Sequence, residues 1–460
     1  MTRCLFLLLC VSFSLPSFSG QIEIAQWLPW KFISNNFIPK TLDHSFSQNN
    51  LSFEAGEFRP QISFDVNIHS EGKDIIFTEE GIEASHLLTS TIFVRQLTID
   101  QVIVRVVNGN VFRVHITAAC TPFAIHVNEM QTEAQLLYKE DGNIWVPQLA
   151  AFDLQIPEWE LGNIQCSGIG GVGNEIREQL ISVLSHPAMF RNLLKEVMAD
   201  QLNQYFYSSW DSLIASTGND LVISGMGHPT AKGVTIYAHL QGSKNISLKT
   251  PDESLLSTEV PQLVFSQEGF ETLLKDKINE TIPKNHNLQN VRAFSKLMSS
   301  RFMQYFVWPD LARFPTRTPF YFSTIPEQSQ LILRPASGNS YQAYFNTNAS
   351  LTTIMGGSII EYLQLGLGMQ TNLNVKVSDG QLRLKTASAN LTLAWSYGLL
   401  YQMIFRPKGQ IATDIMLESM NSLFSNQSAS HELPSIKIEN KVFRLQNWKQ
   451  NREIITMDWL

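Results

Sequence analysis

The feature that most constrains this 460-residue chain is an internal repeat of a turn, an aromatic motif and a helix. Asp141-Gly142 is followed by an apolar run, by Trp159-Glu-Leu-Gly162 and by a helical segment. The same order returns with Asp379-Gly380 and Trp395-Ser-Tyr-Gly398. The two turns lie 238 positions apart and the two aromatic motifs 236 apart, so the offset is nearly constant. A repeat of this kind predicts two similar domains.

The helical segment of each copy has an apolar face. In the first copy it runs from Ser167 to Phe206, with apolar residues at helical spacing and a kink expected at Pro187. More than a hundred residues of strand-like sequence precede it, so we expect the helix to pack against a sheet that wraps it. The second helix begins near Gly409. We predict that the inward faces of the two helices carry Ile176, Leu180, Val183 and Leu184 in the first copy and Ile411, Ile415 and Met416 in the second.

The N-terminus has the pattern of a secretory signal peptide. Arg3 precedes the apolar run Cys4 to Leu15, and Ser17 and Ser19 stand at cleavage-site spacing. A buried N-terminal helix is the alternative. Removal of the signal takes away Cys4 and Cys10, so the mature chain keeps two cysteines, Cys120 and Cys166. We expect them to form one disulfide in an oxidising compartment, and two free thiols are the alternative.

Composition and charge narrow the class of partner. With 44% hydrophobic and 16% charged residues, the chain can bury large cores. Residues 20–230 hold 11 Lys and Arg against 24 Asp and Glu, a net charge of −13, whereas residues 231–460 hold 22 against 17, a net charge of +5. A surface that meets an anionic membrane is therefore expected in the second half. No basic cluster with interleaved aromatic residues is present, so we expect no nucleic-acid partner.

Three local patterns lead to further structural predictions. Val102 to Ile116, with Asn108-Gly109 in its middle, is typical of a β-hairpin with a two-residue turn. Gln21 to Phe46 is predicted to be a helix disturbed by Pro29 and Pro39. The aromatic and proline-rich segment Trp308 to Phe322 cannot be a central strand or a helix. It is either an interfacial membrane loop or an edge segment whose aromatic residues cap the core, and we favour the second interpretation.

Motifs for catalysis and for cofactor binding are weak or missing. Gly168-Ile-Gly170-Gly-Val-Gly173 has dinucleotide-fingerprint spacing, but neither a buried parallel strand before it nor an acidic strand end after it supports that interpretation. The chain has no Gly-x-Ser-x-Gly, His-Glu-x-x-His or Cys-x-x-Cys motif. We therefore predict a protein that is not an enzyme and that needs no cofactor and no metal. A hydrolase of unrecognised type is a more distant alternative.

The arrangement as a whole resembles the bactericidal/permeability-increasing protein family, which includes the lipopolysaccharide-binding protein and lipid transfer proteins and has the tubular lipid-binding fold. The most similar residues are Val377 to Lys385, Asp414 to Met420 and the tail Leu433 to Phe443. The resemblance implies an α+β fold of two elongated domains, each a long helix wrapped by a curved antiparallel sheet, joined by a shared central sheet. The segment near Val234 and the C-terminal strands are expected to contribute to that sheet.

Two features depart from the family pattern. Cys166 precedes the long helix instead of lying within it, so the disulfide is expected to connect neighbouring strands. The first half is acidic, so endotoxin neutralisation by a cationic tip is not implied. We assign residues 1–20 to the signal peptide, 21–230 to the first domain, 231–260 to a central strand and linker, and 261–460 to the second domain.

The predicted function is the binding or transfer of a phospholipid or other acyl lipid by a secreted or periplasmic protein that also contacts a membrane surface. The helix residues named above, Ile176, Leu180, Val183 and Leu184 in the first copy and Ile411, Ile415 and Met416 in the second, are predicted to line two lipid-binding grooves. A non-enzymatic scaffold without bound lipid, in the envelope or outside the cell, is the alternative.

Overall fold

A computed structural model describes residues 20–37, 41–55, 57–156, 158–168, 173–185, 187–217, 221–282, 285–336, 340–387, 389–398, 410–425, 427–438, 440–451 and 453–460. The predicted signal peptide, apart from Gly20, lies outside these residues. The chain forms two compact units. The first-copy unit comprises the described residues of Leu28–Ser216 and Gly225–Ile236, and the second-copy unit comprises the described residues of Met1–Trp27, Thr217–Ser224 and Tyr237–Leu460.

An antiparallel sheet of eight strands forms the first-copy unit. Its long strands alternate between buried and exposed residues, as expected for a sheet with one face in the core. The strands are β2 (Thr41–Ser52), β3 (Gln61–Phe77), β4 (Gly81–Val107), β5 (Asn110–Cys120), β6 (Phe123–Asp141), β7 (Ile144–Gln155), β8 (Glu158–Leu161) and β9 (Cys166–Gly168).

The curvature of this sheet has a local cause in β-bulges. The register between β4 and β6 shifts between Leu88 and Ser90, and the extra residue lies on β6 beside Glu129, whose φ is 56°. Two further shifts interrupt the pairing of β3 with β4. Each bulge bends its strand and increases the local twist, so the sheet curls.

The second-copy unit contains an antiparallel seven-stranded sheet. Its strands are β13 (His286–Asn287), β14 (Phe320–Pro335), β15 (Ser340–Met355), β16 (Ser358–Ser378), β17 (Gln381–Thr386), β18 (Asn390–Gly398) and β19 (Ser428–Glu432).

A third sheet has seven strands in the order β10-β11-β1-β12-β22-β21-β20. The predicted association of the segment near Val234, on β11, with the C-terminal strands is therefore confirmed. The strands are β1 (Gly20–Pro29), β10 (Val222–Met226), β11 (Gly233–Gly242), β12 (Gln262–Ser266), β20 (Ser435–Ile438), β21 (Lys441–Asn451) and β22 (Ile454–Trp459). The boundaries between the two compact units fall within β1, at the end of the helix Pro187–Thr217, and within β10 and β11.

Seven α-helices lie in the described part of the chain. The predicted break at Pro187 is confirmed, because one helix ends before it and the next begins with it, where the missing N–H of proline costs no hydrogen bond. The helices are α1 (Trp30–Asn36), α2 (Gly173–Leu184), α3 (Pro187–Thr217), α4 (Gln267–Thr281), α5 (Arg292–Ser299), α6 (Arg301–Val307) and α7 (Gln410–Phe424).

The internal repeat is confirmed in the strand pairing. In the first copy, β6 pairs with β7 across the Asp141-Gly142 turn and pairs elsewhere along its length with β8, which carries Trp159. In the second copy, β16 pairs with β17 across Asp379-Gly380 and elsewhere with β18, which carries Trp395. A helix follows each set. The predicted α+β class with curved antiparallel sheets is therefore confirmed.

Each unit has its own apolar core beneath its helix. In the first-copy unit, Ile176 and Leu180 of α2 and Leu194 of α3 are fully buried among inward-facing residues of β3 to β7. In the second-copy unit, Met416 and Met420 of α7 occupy the corresponding place. These contacts explain why the helices form, because burial of the apolar face adds to the modest stability of an isolated helix.

Two local predictions have definite outcomes. The helix predicted for Gln21 to Phe46 is wrong, because α1 is the one helix among the described residues of this range and strands β1 and β2 flank it. The prediction for Trp308 to Phe322 is confirmed only in part. The prediction that it forms neither a helix nor a central strand is wrong, because Pro309–Arg313 is a 3-10 helix that begins with a proline and Phe320 begins β14, which pairs with both β13 and β15. Its aromatic residues do cap the core, as favoured. Trp308, Phe314 and Phe320 are at most 2% exposed and belong to the core of the second-copy unit.

Candidate functional site

A cavity of about 340 Å³ lies between α3 and the sheet of the first-copy unit. Its size is within the range of small-molecule sites, about 300–1,000 Å³. The lining residues come from one helix and four strands. They are Phe46 of β2, Ile68 of β3, His86 and Leu88 of β4, Thr132 of β6, and Met198, Gln201, Leu202, Gln204, Tyr205 and Ser208 of α3.

The periodicities of strand and helix determine the lining. His86 and Leu88 are two residues apart on β4, so both point toward the helix. Met198, Leu202 and Tyr205 follow one another at the i, i+4 and i+7 positions of α3 and form one stripe along the helix. Alternation along the strand and the helical repeat thus bring the two sets of side chains to the same space.

The deep part of the cavity is mainly apolar. Ile68, Leu88, Met198 and Leu202 are each at most 7% exposed. Phe46 is half-buried and packs against the core beneath. A surface of this kind favours the apolar part of a ligand, because every methylene removed from water contributes to binding.

Two polar side chains interrupt the apolar lining. Thr132 is 1% exposed, and its hydroxyl oxygen has no hydrogen-bond partner among the described residues. His86 is buried beside it in the lining, and burial lowers the pKa of its imidazole because the charged form is poorly solvated there. At neutral pH the imidazole is therefore uncharged. A buried hydroxyl without a partner is uncommon, and a polar atom of a ligand would satisfy it.

The open side of the cavity is polar. Gln204 and Ser208 are exposed, and Gln201 and Tyr205 are half-buried. Burial raises the pKa of Tyr205 to about 12, so its phenol remains protonated and can donate a hydrogen bond. A ligand with an apolar chain and a polar end matches this order of side chains.

The residues predicted to line the first groove lie elsewhere. Ile176, Leu180 and Leu184 are fully buried, and Val183 is half-buried. All four pack in the core between α2 and the sheet, and the lining of the cavity comes from α3 instead. Their contact with lipid stays a prediction.

The residues predicted to line the second groove all lie on α7. Met416 of α7 is 2% exposed in the core, and Ile415 is half-buried against the same cluster. Ile411 lies on α7, but its side chain is outside the described part of the structure. A role for these residues in a second groove likewise remains a prediction.

The sequence indicated some of the residues that line the cavity. Met198, Leu202 and Tyr205 belong to the apolar face that predicted the first helix, but nothing in its periodicity separates residues that touch a cavity from those that fill a core. His86 and Thr132 had no such signal. Each is one polar residue in a long strand, and their proximity depends on the pairing of β4 with β6, where His86 lies opposite Thr132.

The predicted disulfide is present. Cys120 and Cys166 are bonded to each other and connect the neighbouring strands β5 and β9. Within the described residues, no group of three or more His, Cys, Asp or Glu side chains is placed to hold a metal ion. None of the helices described is both long and apolar enough to cross a membrane.

Comparison with known proteins gives structural similarities only. No family model and no curated protein matches the chain. Among solved structures, the chain is similar to lipopolysaccharide binding protein, with 9% identity and a TM-score of 0.37 over 96% of this chain and 98% of that one. It is also similar to P47 of Clostridium botulinum E1, with 11% identity and a TM-score of 0.30 over 95% of this chain and 98% of that one. At TM-scores this low, neither similarity bears on the function.

Proposed function

We propose that this protein binds an acyl lipid, such as a phospholipid, with part of the acyl chain in the cavity between α3 and the curved sheet. The observation that carries the proposal is the order of the lining, which is apolar at depth around Leu88 and Met198 and polar at the open side around Gln204 and Ser208. Membership of the tubular lipid-binding family, which the sequence resembles, is part of the same hypothesis.

Burial of an acyl chain supplies binding energy without a charged contact. Burial of apolar surface contributes about 0.8 kcal/mol per methylene. Burial of half of a sixteen-carbon chain would contribute about 6 kcal/mol before the cost of ordering the ligand. The neutral His86 adds no charge that an acyl chain would have to approach.

The buried hydroxyl of Thr132 gives the site a preference between ligands with and without a polar group. Thr132 Oγ1 can donate to an ester or carboxyl oxygen of a lipid and would then gain the partner that it lacks among the described residues. A plain hydrocarbon would leave that hydroxyl unsatisfied, at a cost of about 1–3 kcal/mol. We therefore expect a preference for chains that carry a polar group over plain alkanes.

The protein is proposed to act outside the cytoplasm, secreted or periplasmic, by binding and not by catalysis. The disulfide between Cys120 and Cys166 supports this location, because such bonds persist in oxidising compartments. Contact with a membrane surface is part of the proposal, since a lipid ligand has to enter from a bilayer. A scaffold without bound lipid is the competing function.

The test is lipid extraction of the purified protein followed by mass spectrometry. Met198→Trp should fill the cavity and lower the bound lipid several-fold. Tyr207→Trp is the matched control, because Tyr207 lies on the same helix, is 41% exposed and does not line the cavity. If the wild-type protein carries no lipid and takes up none from vesicles, the scaffold function is favoured. Equal lipid in both variants would remove the cavity as the site.

A further inference from the structure

Helix α6 is turned with its aromatic side toward solvent. Phe302, Tyr305 and Phe306 stand at the i, i+3 and i+4 positions and are 62% to 70% exposed. Its buried side instead carries Gln304, which is 0% exposed and donates through Nε2 to the carbonyl of Met298 at 3.3 Å. Packing within the unit therefore does not explain the three aromatic residues.

A second exposed apolar group lies on the turn between β15 and β16. Ile354, Met355 and Ile359 are 47% to 77% exposed, and they flank Gly356 and Gly357, which both have positive φ angles. A turn of this kind can project from the sheet, and its apolar side chains have no role in the core.

Hydrogen bonds connect α6 and this turn to the same end of the second-copy unit. Trp308, which directly follows α6, donates through Nε1 to Tyr362 Oη on β16 at 3.2 Å. Thr353 Oγ1, next to the turn, donates to the carbonyl of Pro319 at 2.8 Å. Arg317 N, two residues earlier, donates to the carbonyl of Met298 on α5. Helices α5 and α6 and the turn therefore share one end of the unit.

The charge at this end is positive. Residues 286–320 contain five cations, and all are exposed, whereas the carboxylates of residues 286–320 and 350–364 are only Asp310 and Glu361. The cations are Arg292, Lys296, Arg301, Arg313 and Arg317. Arg301 donates to the carbonyls of Ala312 and Phe314, which orders the segment after α6.

From these observations we infer that this end of the second-copy unit, called here the α6 surface, docks on an anionic membrane surface. The α6 surface consists of Phe302, Tyr305, Phe306, Ile354, Met355 and Ile359 with the five cations around them. Aromatic and aliphatic residues enter the boundary between head groups and acyl chains, and Arg and Lys pair with anionic head groups.

A lipid surface fits the end of the second-copy unit better than it fits the exposed apolar tip of the β4–β5 hairpin. Val106 and Val111 are paired at the tip of the β4–β5 hairpin and are also exposed. However, the nearby Arg105 is already bound to Glu57 and Glu175, and residues 20–230 are strongly acidic. An anionic bilayer would repel that region and attract the α6 surface.

The inference rests on the membrane contact in the proposed function and adds the surface that makes it. The test is co-sedimentation with phosphatidylcholine vesicles that do or do not contain phosphatidylserine. Wild-type protein should bind the anionic vesicles more tightly. The double variant Phe302→Ser/Phe306→Ser should weaken that binding about tenfold. Lys296→Gln and Arg317→Gln should each weaken it about fivefold and only on anionic vesicles.

The hairpin variant Val106→Ser/Val111→Ser is the matched control and should bind like the wild type. Unchanged binding of Phe302→Ser/Phe306→Ser, or an equal loss in both double variants, would overturn the inference. After incubation with vesicles to equilibrium, the lipid content of Phe302→Ser/Phe306→Ser should equal that of the wild type, because the cavity lies in the first-copy unit and docking changes the rate of loading, not the affinity of the cavity. Lipid content thus reports on the cavity, and vesicle binding reports on the α6 surface, so the two proposals can fail separately.

Discussion

Cys120 and Cys166 lie directly opposite each other on β5 and β9, and their disulfide connects the strand before the Gly-rich segment to the sheet. The bond closes a loop across a sequence separation of 46 residues. That loop contains β6, β7 and β8, and β6 contributes Thr132 to the cavity. The disulfide therefore constrains the part of the sheet on which the site depends.

The first prediction concerns this bond. Cys120→Ser/Cys166→Ser should lower the free energy of unfolding by about 2–4 kcal/mol, because the unfolded chain regains the freedom that the closed loop removes. Urea unfolding of the oxidised wild type and the variant measures the difference. Reductant should destabilise the wild type to the level of the variant and leave the variant unchanged. Equal stability of oxidised wild type and variant would contradict this prediction.

Turn chemistry made part of the fold predictable. Asn108 and Gly109, with φ angles of 51° and 81°, form the expected hairpin turn, and Gly142 and Gly380 have the positive φ angles that mark the repeated turns. Such turns depend on a few adjacent residues, so a single sequence contains the whole signal.

The wrong prediction of a helix for Gln21 to Phe46 has a cause that lies far away in the sequence. Strand β1 lies between β11 and β12 in the third sheet, and side chains on both of its faces are almost continuously buried. A strand buried on both faces has no alternation, and a short apolar run of this kind cannot be distinguished from a buried helix by periodicity. The outward direction of Phe302 and Phe306 was equally unpredictable, since it depends on which side of α6 meets the core.

The second prediction concerns the segment after α6. Trp308→Phe removes the donor to Tyr362 Oη while keeping an aromatic ring in the core, and both residues are buried. The free energy of unfolding should fall by about 1–3 kcal/mol because the phenol loses a buried partner. Phe306→Leu, at an exposed position, should change it by less than about 0.5 kcal/mol. Chemical unfolding, monitored by circular dichroism, measures the stability of both variants. A stable Trp308→Phe would show that this hydrogen bond contributes nothing.

The third prediction concerns pH. Burial lowers the pKa of His86 below its usual value of 6.5, so the unfolded chain takes up this proton at a higher pH than the folded protein does. The contribution of His86 to stability should be complete above about pH 6.5 and should decrease as the pH falls toward the lower pKa of the folded state. His86→Gln should therefore reduce the loss of stability on acidification, measured by urea unfolding at several pH values.

A second buried histidine limits the size of this effect. Burial also lowers the pKa of His431, so some pH dependence of the same sign should remain in His86→Gln. A variant His86→Gln with the full wild-type dependence would show that His86 is not the buried group that resists protonation.

The last prediction separates the core helix from the cavity. Leu180 of α2 is fully buried, and a tryptophan there must displace its neighbours at a cost of about 1–3 kcal/mol. Met198 of α3 borders open space that a tryptophan can enter. We therefore expect Met198→Trp to lower bound lipid with little loss of stability, and Leu180→Trp to lower stability with bound lipid unchanged in the folded fraction. Lipid mass spectrometry and urea unfolding of both variants give the two readings. Loss of lipid from a stably folded Leu180→Trp would instead place the groove along α2, as the sequence pattern predicted.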